Sequence, residues 1–281
     1  MDDLSVLETS VLEPLAPTFV KTILAAPPFY QIQGVLNVRS IPLPPTSSTR
    51  GLVLRSGETN NITPLGKLKL SQELGITKIF DLRSDKERAK FGSDSALNIP
   101  DVEIVCVPAR TVEPKEDLKT IFGKFGGNGD QGFVDAYRST LEQGKKAYGR
   151  IFEFLRDELH NGNGCLIHCS LGKDRTALAA MLILDLAGVP DEEIMKDYAL
   201  TRVGAEPVRE ATVARFAELL QDPEIAESTV NALGCRPSAM RATLNMLREE
   251  YGGAAGYLKN HLGFSNDDVG RIVENLTSRR N

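Results

Sequence analysis

Residues 168–176 read HCSLGKDRT and bring together the side chains that cleavage of a phosphate ester through a covalent intermediate requires. Cys169 could attack phosphorus, because a helix N-terminus and nearby cations favour the ionised thiolate of a cysteine. Arg175 could grip two phosphoryl oxygens with its planar guanidinium. The Thr176 hydroxyl could donate to the thiolate and ease departure of the phosphate in the second step. His168 lies directly before Cys169, and we expect it to support the site.

The backbone around Cys169 also suits a phosphate group. A short buried strand is predicted over residues 165–168 and a helix over residues 174–186. Backbone N–H groups in a loop between a strand and a helix bind anions, and Gly172 permits a conformation that a side chain would hinder. We therefore predict a phosphate-binding loop that needs no metal, formed by Ser170, Leu171, Gly172, Lys173, Asp174 and Arg175.

A second Cys-x5-Arg segment lies at Cys235 and Arg241, which shows that this spacing alone is weak evidence. That copy has no preceding strand and no internal glycine, and Ala242 stands where a hydroxyl is needed. We therefore interpret Cys235 as structural. The alternative interpretation of Cys169, a small buried hydrophobic residue, is weaker because a strand, a glycine, an arginine, a threonine and an apolar helix surround it in order.

The elements that must position this loop alternate along the chain. Strands are predicted over residues 52–54, 76–82 and 102–107, and helices over residues 63–74 and 145–159. Residues 111–132, which contain GGNGDQG, predict a mobile loop. Strands that alternate with helices predict an α/β fold, with a central, mostly parallel sheet flanked by helices and an extra helical C-terminal region.

Length and composition limit the function classes. We expect the 281 residues to form a single domain, with residues 1–34 as an N-terminal extension. The net charge is -5, whereas nucleic-acid-binding proteins typically have an excess of basic residues, so we do not expect a nucleic-acid partner. Four cysteines are too few for a disulfide framework, so we expect a reducing, cytoplasmic location. Neither a signal peptide nor a transmembrane segment is predicted.

The loop resembles that of the microbial tyrosine and lipid phosphatases, which reads HCxxGKDRTG, with Ala177 in place of the last glycine. The resemblance covers residues 35–276 and includes LRSG at 54–57, LGI…DLRSxxE at 74–87, DYALT at 197–201 and a YL…LG pattern at 257–263. Of the N-terminal NFRDLGG element, only Asn37-Val38-Arg39 remains. The resemblance implies a cysteinyl-phosphate intermediate without a cofactor. It implies phosphotyrosine-type proteins or phosphoinositides as substrates.

Protonation of the leaving oxygen requires a general acid, for which the sequence offers several aspartates. Asp81 ends a predicted strand, where sheet topology places site residues, but it could instead pair with an arginine. Many cysteine phosphatases have the general acid on a separate loop before the nucleophile, where Asp130 and Asp135 lie in this chain. Asp135 could instead be an ordinary exposed residue on a solvated helix. The resemblance favours Asp174, which could otherwise cap its helix. We rank Asp174 first, Asp81 second and Asp135 third.

Lys173 bears on the choice of substrate. A second cation in the loop suits a ligand with more than one phosphate, such as a phosphoinositide. Alternatively, Lys173 only favours the thiolate or meets solvent. The helical segment 190–250 is an insertion that, by analogy with the resembled family, could act as a lid over the site.

The function that these residues indicate is metal-independent hydrolysis of a phosphate monoester, on a phosphorylated protein or a phosphoinositide. One alternative is a catalytically inactive phosphate-binding module, which the intact Cys169, Arg175 and Thr176 argue against. Another is a sulfurtransferase, which also uses a loop cysteine. The KDRT sequence at 173–176 favours phosphate over that alternative.

Overall fold

The computed structural model describes residues 4–49, 51–91, 98–112, 116–127, 129–159 and 162–278. Within these residues one sheet is formed by β1 (Arg39–Ser40), β2 (Val53–Ser56), β3 (Ile76–Asp81), β4 (Glu103–Cys106) and β5 (Gly164–His168). The strand order across the sheet is β1-β2-β5-β3-β4. Only β1 pairs antiparallel, with β2, and the other neighbours are parallel. The predicted mostly parallel sheet is confirmed.

Helices connect the strands. In the first two thirds of the chain they are α1 (Pro17–Leu24), α2 (Pro64–Leu68), α3 (Asp85–Phe91), α4 (Leu118–Gly123), α5 (Asp130–Gln143), α6 (Lys145–Asp157) and α7 (Asp174–Leu186). A 3-10 turn at Leu4–Glu8 precedes them, and α2 continues as a π-helical turn over Lys69–Glu73. As predicted, Thr63 caps α2, because its side chain accepts a hydrogen bond from the Gly66 N–H.

The last third of the described chain is helical, as the sequence predicts. It comprises α8 (Asp191–Ala199), α9 (Thr201–Gly204), α10 (Arg209–Arg215), α11 (Ala217–Gln221), α12 (Ala226–Leu233), α13 (Pro237–Tyr251), α14 (Gly253–His261) and α15 (Asn266–Thr277), with a 3-10 turn at Glu206–Val208. No helix among the described residues is long and apolar enough to cross a membrane.

The prediction of a mobile loop over residues 111–132 is wrong for residues 118–123 and for residues 130–132, which begin α5. Residues 118–123 form α4, and the Asp117 side chain caps it by accepting a hydrogen bond from the Thr120 N–H at 2.7 Å. This helix buries no residue. Leu118, Ile121 and Phe122 do have helical spacing, but the glycine-rich segment that follows them favoured the prediction of a loop. Residues 113–115 and 128 of the predicted loop lie outside the described residues.

Successive residues of a strand point to opposite faces of the sheet, and both faces of this sheet are covered by a hydrophobic core. Val53 and Ile167 face the larger core, which contains residues of α5, α6, α7 and the C-terminal helices. Leu54 and Leu166 face a smaller core that includes Leu70. Helices on both faces of a parallel sheet leave the ends of the strands as the place for a site.

The carboxyl ends of the parallel strands lie side by side. Ser56 of β2 and Asp81 of β3 are both paired in register with His168 of β5, and Asp81 is also paired with Cys106 of β4. The predicted phosphate-binding loop follows β5 directly, so it starts at this edge of the sheet.

The N-terminal extension packs against the C-terminal helices. Val20 and Ile23 of α1 share a hydrophobic cluster with Leu200 and Val203. Arg202 on α9 donates to the Thr9 carbonyl at 3.1 Å. The segment before β1 therefore contributes to the packing of α8 and α9.

Candidate active site

The predicted loop joins the end of β5 to the start of α7. The strand ends at His168, and the helix begins at Asp174 with Lys173 as its N-cap residue. The predicted strand and helix are therefore confirmed on either side of the loop. In this arrangement the N-terminus of a 13-residue helix faces the loop, and such a terminus favours negative charge.

Gly172 allows the loop to pack against β2. Its φ is +70°, and a Cβ at this position would lie 2.2 Å from the Ser56 carbonyl oxygen. Both the backbone conformation and the close approach exclude a side chain. The sequence-based prediction for Gly172 agrees with this geometry.

Three carbonyl groups of the loop are bound from outside. The Glu58 N–H donates to Ser170 O at 3.0 Å, and the Asn37 side chain donates to Leu171 O at 3.0 Å. Arg55 donates to Gly172 O at 2.7 Å. Because the C=O and N–H of a planar peptide point in opposite directions, carbonyls held outside direct the following N–H groups inward. This is the backbone arrangement that a bound phosphate needs.

A buried ion-pair network supports this anchoring. The Asp197 carboxylate accepts hydrogen bonds from Arg39, at 3.0 Å, and from Arg55. Burial lowers the pKa of Arg39 to about 10, with a contribution from the neighbouring Arg55 charge. Burial would raise the pKa of Asp197, but the two arginines hold it below its usual value. Arg39 and Asp197 therefore stay charged at neutral pH, and the network connects α8 to the loop through Arg55.

Asn37, Arg39, Arg55 and Asp197 were visible in the sequence only as parts of the resembled family's motifs. Their spacing gave no sign that they meet beneath the loop, because they come from β1 and the residues just before it, from β2 and from α8. They are residues that position the loop, and the sequence analysis assigned no role to them.

Cys169 is the first residue of the loop and is buried, with 3% of its surface exposed. Cys165 and Cys235 are buried as well, and burial raises the pKa of both thiols, which favours their neutral form. The Cys235 thiol lies 3.7 Å from the Ala199 carbonyl as a donor. These contacts agree with the structural interpretation of Cys235.

Arg175 is held by a glutamate that was not among the predicted site residues. The Arg175 Nη1 donates to Glu87 Oε2 at 2.6 Å, and its Nη2 donates to Glu87 Oε1 at 2.7 Å. The Ser170 hydroxyl donates to the same Oε1 at 2.7 Å. Glu87 fixes the plane of the guanidinium relative to the loop. The only sequence signal was its place in the DLRSxxE motif.

The Thr176 hydroxyl is buried, and no hydrogen-bond partner reaches it within the described chain. The predicted donation from Thr176 to the Cys169 sulfur is therefore absent from this arrangement. His168 Nδ1 lies 3.2 Å from the Cys169 carbonyl oxygen, and its Nε2 lies 3.9 Å from Asp81 Oδ1.

Lys173 is buried against the end of α12, so the alternative that it meets solvent is wrong. Its Nζ donates to the Ala232 carbonyl at the end of α12, at 2.6 Å, and lies 5.2 Å from the centre of the Phe133 ring. The residue is 94% buried, with 6% of its surface exposed, so it does not meet solvent. The ammonium contacts the helical segment 190–250, and its position gives no support to a second phosphate.

Asp174 is the first residue of α7. Among the described residues no backbone N–H donates to its side chain, so the capping alternative is not observed there. The Tyr137 hydroxyl donates to its Oδ1 at 2.7 Å. About half of the Asp174 side chain, 49%, is exposed. Asp174 therefore combines a fixed position beside Arg175 with access from outside, as a general acid requires.

The other aspartates have different surroundings. Asp81 is fully buried and receives hydrogen bonds from Arg83 Nη2 at 2.9 Å and Nε at 3.0 Å. This geometry fits the structural pairing that the sequence left open, and it does not favour Asp81 as the acid. Asp135 is exposed on α5 and pairs with Arg138 at 2.8 Å. Asp130 accepts from the Ser238 hydroxyl at 3.0 Å.

Within the described ranges, no group of three or more His, Cys, Asp or Glu side chains is arranged to hold a metal ion. The site as built thus consists of one buried thiol, an anchored loop and one clamped arginine, with a half-exposed carboxyl at its rim.

Comparison with known proteins identifies related sequences. A family model described as the tyrosine phosphatase family matches residues 30–278. The chain is 27% identical over 276 residues to the triple specificity protein phosphatase PtpB of Mycobacterium tuberculosis, covering 86% of this chain and 96% of that protein. It is 26% identical over 229 residues to a tyrosine-protein phosphatase of Nostoc commune, covering 79% of this chain and 73% of that protein.

These matches favour ester hydrolysis over the inactive module and the sulfurtransferase, and the family model spans the loop, β1 to β5 and the C-terminal helices. The chain belongs to the tyrosine phosphatase family and is a phosphatase that hydrolyses phosphate esters through a cysteine.

Proposed function

We propose that Cys169 is the nucleophile of this phosphatase and that it acts on phosphotyrosine-type proteins or phosphoinositides. The observation that carries the assignment is the anchored loop. Cys169 begins it, outside contacts bind the carbonyls of Ser170, Leu171 and Gly172, and Arg175 ends it in a fixed orientation. A phosphoryl group bound there receives the inward N–H groups and the guanidinium.

The reaction proceeds in two steps. The Cys169 thiolate attacks phosphorus, so that a sulfur–phosphorus bond forms while the ester oxygen–phosphorus bond breaks. Asp174 gives a proton to the departing oxygen. Water then gives a proton to the Asp174 carboxylate and attacks phosphorus, so that an oxygen–phosphorus bond forms while the sulfur–phosphorus bond breaks, and both the thiolate and the protonated Asp174 are restored. Arg175 and the loop stabilise the charge on the phosphoryl oxygens in both transition states.

The matched variants Cys169→Ser and Cys235→Ser test the nucleophile. Cys169→Ser should lose turnover of a small aryl phosphate, because a serine hydroxyl is a poor nucleophile without a base, and it should still bind vanadate. Cys235→Ser removes a buried thiol of the second Cys-x5-Arg segment and should keep its kcat/KM. Similar losses of activity in both variants would contradict the assignment.

The substrate class rests on the family and on the names of two relatives, one a tyrosine-protein phosphatase and the other a triple specificity phosphatase. A panel of peptides carrying phosphotyrosine, phosphoserine or phosphothreonine, together with phosphoinositides in micelles, separates the two substrate classes. Turnover of phosphotyrosine peptides or phosphoinositides supports the proposal. Activity confined to phosphoserine or phosphothreonine would overturn it.

We also propose that residues 190–250 act as a cover over the loop. The contact between Lys173 and the Ala232 carbonyl at the end of α12 supports this, because it ties the segment to the phosphate site. Lys173→Met removes the tie. It should change KM for a bulky phosphopeptide more than KM for a small aryl phosphate. An equal change for both would contradict a covering role.

A reducing, cytoplasmic location completes the proposal. The four cysteines form no disulfide with one another, and Cys169 must stay reduced to attack phosphorus. Fractionation of the source cells should recover the protein with cytoplasmic markers. Its recovery outside the cell would contradict this part of the proposal.

A further inference from the structure

Two buried tyrosines form a hydrogen-bonded chain that ends on Asp174. The Tyr137 hydroxyl on α5 donates to Asp174 Oδ1 at 2.7 Å, and the Tyr198 hydroxyl on α8 lies 2.9 Å from the Tyr137 hydroxyl. Their residue exposures are 2% for Tyr137 and 0% for Tyr198. The reaction described above uses neither hydroxyl, so the chain needs a separate explanation.

The direction of the two hydrogen bonds follows from the proton count. Tyr137 has one hydroxyl proton and gives it to Asp174, so Tyr198 must be the donor between the two tyrosines. Burial, with a further contribution from the Asp174 charge, raises the pKa of both hydroxyls well above the usual value. Both tyrosines therefore keep their protons at neutral pH, and the chain runs from Tyr198 through Tyr137 to Asp174.

The two oxygens of Asp174 are in different surroundings. Oδ1 accepts from Tyr137 and also lies 3.8 Å from Lys173 Nζ. In the part of the chain that the structure describes, no hydrogen bond reaches Oδ2. A carboxyl held through one oxygen leaves the other for a proton that is passed to a substrate.

We propose that Tyr137, itself held by Tyr198, is a positioning residue that orients Asp174 as the general acid, an inference that rests on the proposed function. When Oδ2 gives its proton to the leaving oxygen, the carboxyl becomes a carboxylate. A hydrogen bond to an ionised acceptor is roughly twice as strong as one to a neutral acceptor. The Tyr137 bond therefore strengthens during the chemical step, and this lowers the barrier.

Phenylalanine substitutions isolate the hydroxyl groups. The Tyr137 ring packs against Phe133 at 5.5 Å and against Tyr198 at 6.5 Å between ring centres, and a phenyl ring keeps both contacts. Tyr251→Phe is the matched control, because the Tyr251 hydroxyl donates to a carboxylate, Glu142 Oε1, at 2.9 Å and takes no part in the proposed site.

The experiment measures kcat/KM for a series of aryl phosphates whose leaving groups differ in basicity. Tyr137→Phe should lower kcat/KM about tenfold for the most basic leaving groups and less than about threefold for the most activated ones. Tyr198→Phe should act in the same direction with a smaller effect. Tyr251→Phe should keep the wild-type slope of log kcat/KM against leaving-group pKa.

Asp174→Asn and the double variant Tyr137→Phe/Asp174→Asn complete the comparison. The double variant should show the slope of Asp174→Asn alone, because Tyr137 acts through Asp174. Two results for Tyr137→Phe would overturn the inference and leave the proposed function intact. One is an equal loss of kcat/KM for all leaving groups. The other is a wild-type slope in Tyr137→Phe while Asp174→Asn shows a steep slope. A wild-type slope in Asp174→Asn would overturn both the acid assignment and the inference. An active Cys169→Ser variant would instead refute the proposed nucleophile.

Discussion

Arg175 and Glu87 form a two-point ion pair, with 2.6 Å between Nη1 and Oε2 and 2.7 Å between Nη2 and Oε1. The arginine lies in the first turn of α7 after β5, and the glutamate lies on α3 after β3, so the pair joins the carboxyl ends of neighbouring strands. Burial would raise the pKa of Glu87, but its hydrogen bonds with Arg175 and the arginine charge hold it well below the usual range. The pair stays ionised at neutral pH and fixes the guanidinium plane.

Glu87→Gln tests the importance of this orientation. The amide keeps one acceptor but loses the charge and the second strong hydrogen bond, so the arginine can rotate away from the phosphoryl oxygens. We expect kcat/KM for an aryl phosphate to fall about 10- to 100-fold, as the loss of one hydrogen bond to a charged group predicts. The inhibition constant of vanadate should rise in parallel.

Asp85→Asn on the same helix is the matched control for Glu87→Gln. The Asp85 side chain is 89% exposed and pairs only with Arg88 among its described ion-pair partners. Exposed pairs contribute little, so kcat/KM should stay near the wild-type value. Equal losses in the two variants would mean that α3 as a whole, and not the Glu87 carboxylate, matters.

Gly172→Ala tests the close packing of the loop. The φ of +70° and the 2.2 Å approach to the Ser56 carbonyl both oppose a side chain. Gly188→Ala separates the two effects, because Gly188 has the same φ of +70° with no atom within 4 Å of its added Cβ. We expect Gly188→Ala to lose about 1–2 kcal/mol in the free energy of unfolding.

Gly172→Ala should lose more stability than Gly188→Ala, by about 1–3 kcal/mol from the clash, and its activity should fall strongly. Urea unfolding and aryl phosphate turnover measure the two quantities. Similar unfolding free energies and normal turnover in both variants would show that the loop tolerates a side chain at position 172.

The sequence predicted the parts of the site that are continuous in the chain. The strand, loop and helix around Cys169 lie within residues 164–186, so their residue types reveal their order. The contacts that hold the loop come from distant segments, since Arg55 and Asp197 lie 142 positions apart. A sequence gives no direct signal of such contacts, and it therefore missed the anchoring of the loop and the role of Glu87.

Two features were predicted wrongly or incompletely, for different reasons. α4 was missed although Leu118, Ile121 and Phe122 have helical spacing, because the glycine-rich segment that follows them favoured a loop. Lys173 was expected to suit a second phosphate, or else to favour the thiolate or meet solvent, because local sequence does not show that α12 ends beside it.

The ionisation of Asp197 predicts how the free energy of unfolding changes at acidic pH. Because the two arginines hold its pKa below the usual value near 3.8, its stabilising contribution is fully present above about that pH. That contribution is lost as the pH falls through the lower folded-state pKa. Asp197→Asn breaks a buried ion pair and should cost about 3–5 kcal/mol in the free energy of unfolding at pH 7.

The difference between wild type and Asp197→Asn should shrink when urea unfolding is repeated at pH 3. Asp157→Asn, which removes an exposed carboxylate paired with Arg156, should change stability little at either pH. A difference that stays constant between pH 7 and pH 3 would contradict ionisation of Asp197 as the source of the stability.

The identity of the general acid is tested with asparagine variants of Asp174, Asp81 and Asp135. Asp174 lies beside Arg175 with half of its side chain exposed, and no backbone N–H of the described chain donates to it, so its replacement removes no helix cap. Asp174→Asn should therefore lower kcat/KM about 100- to 10,000-fold for basic leaving groups and far less for activated ones. The basic side of its pH profile should flatten, because the group that must stay protonated is gone.

Asp81→Asn should behave differently, since it removes the partner of the buried Arg83. We expect it to lose about 3–5 kcal/mol of stability while the protein that remains folded keeps the wild-type dependence on the leaving group. Asp135→Asn removes an exposed carboxylate and should change neither quantity. The variant with the steepest new slope of log kcat/KM against leaving-group pKa identifies the acid, so a steep slope in Asp81→Asn with a wild-type slope in Asp174→Asn would reverse the assignment.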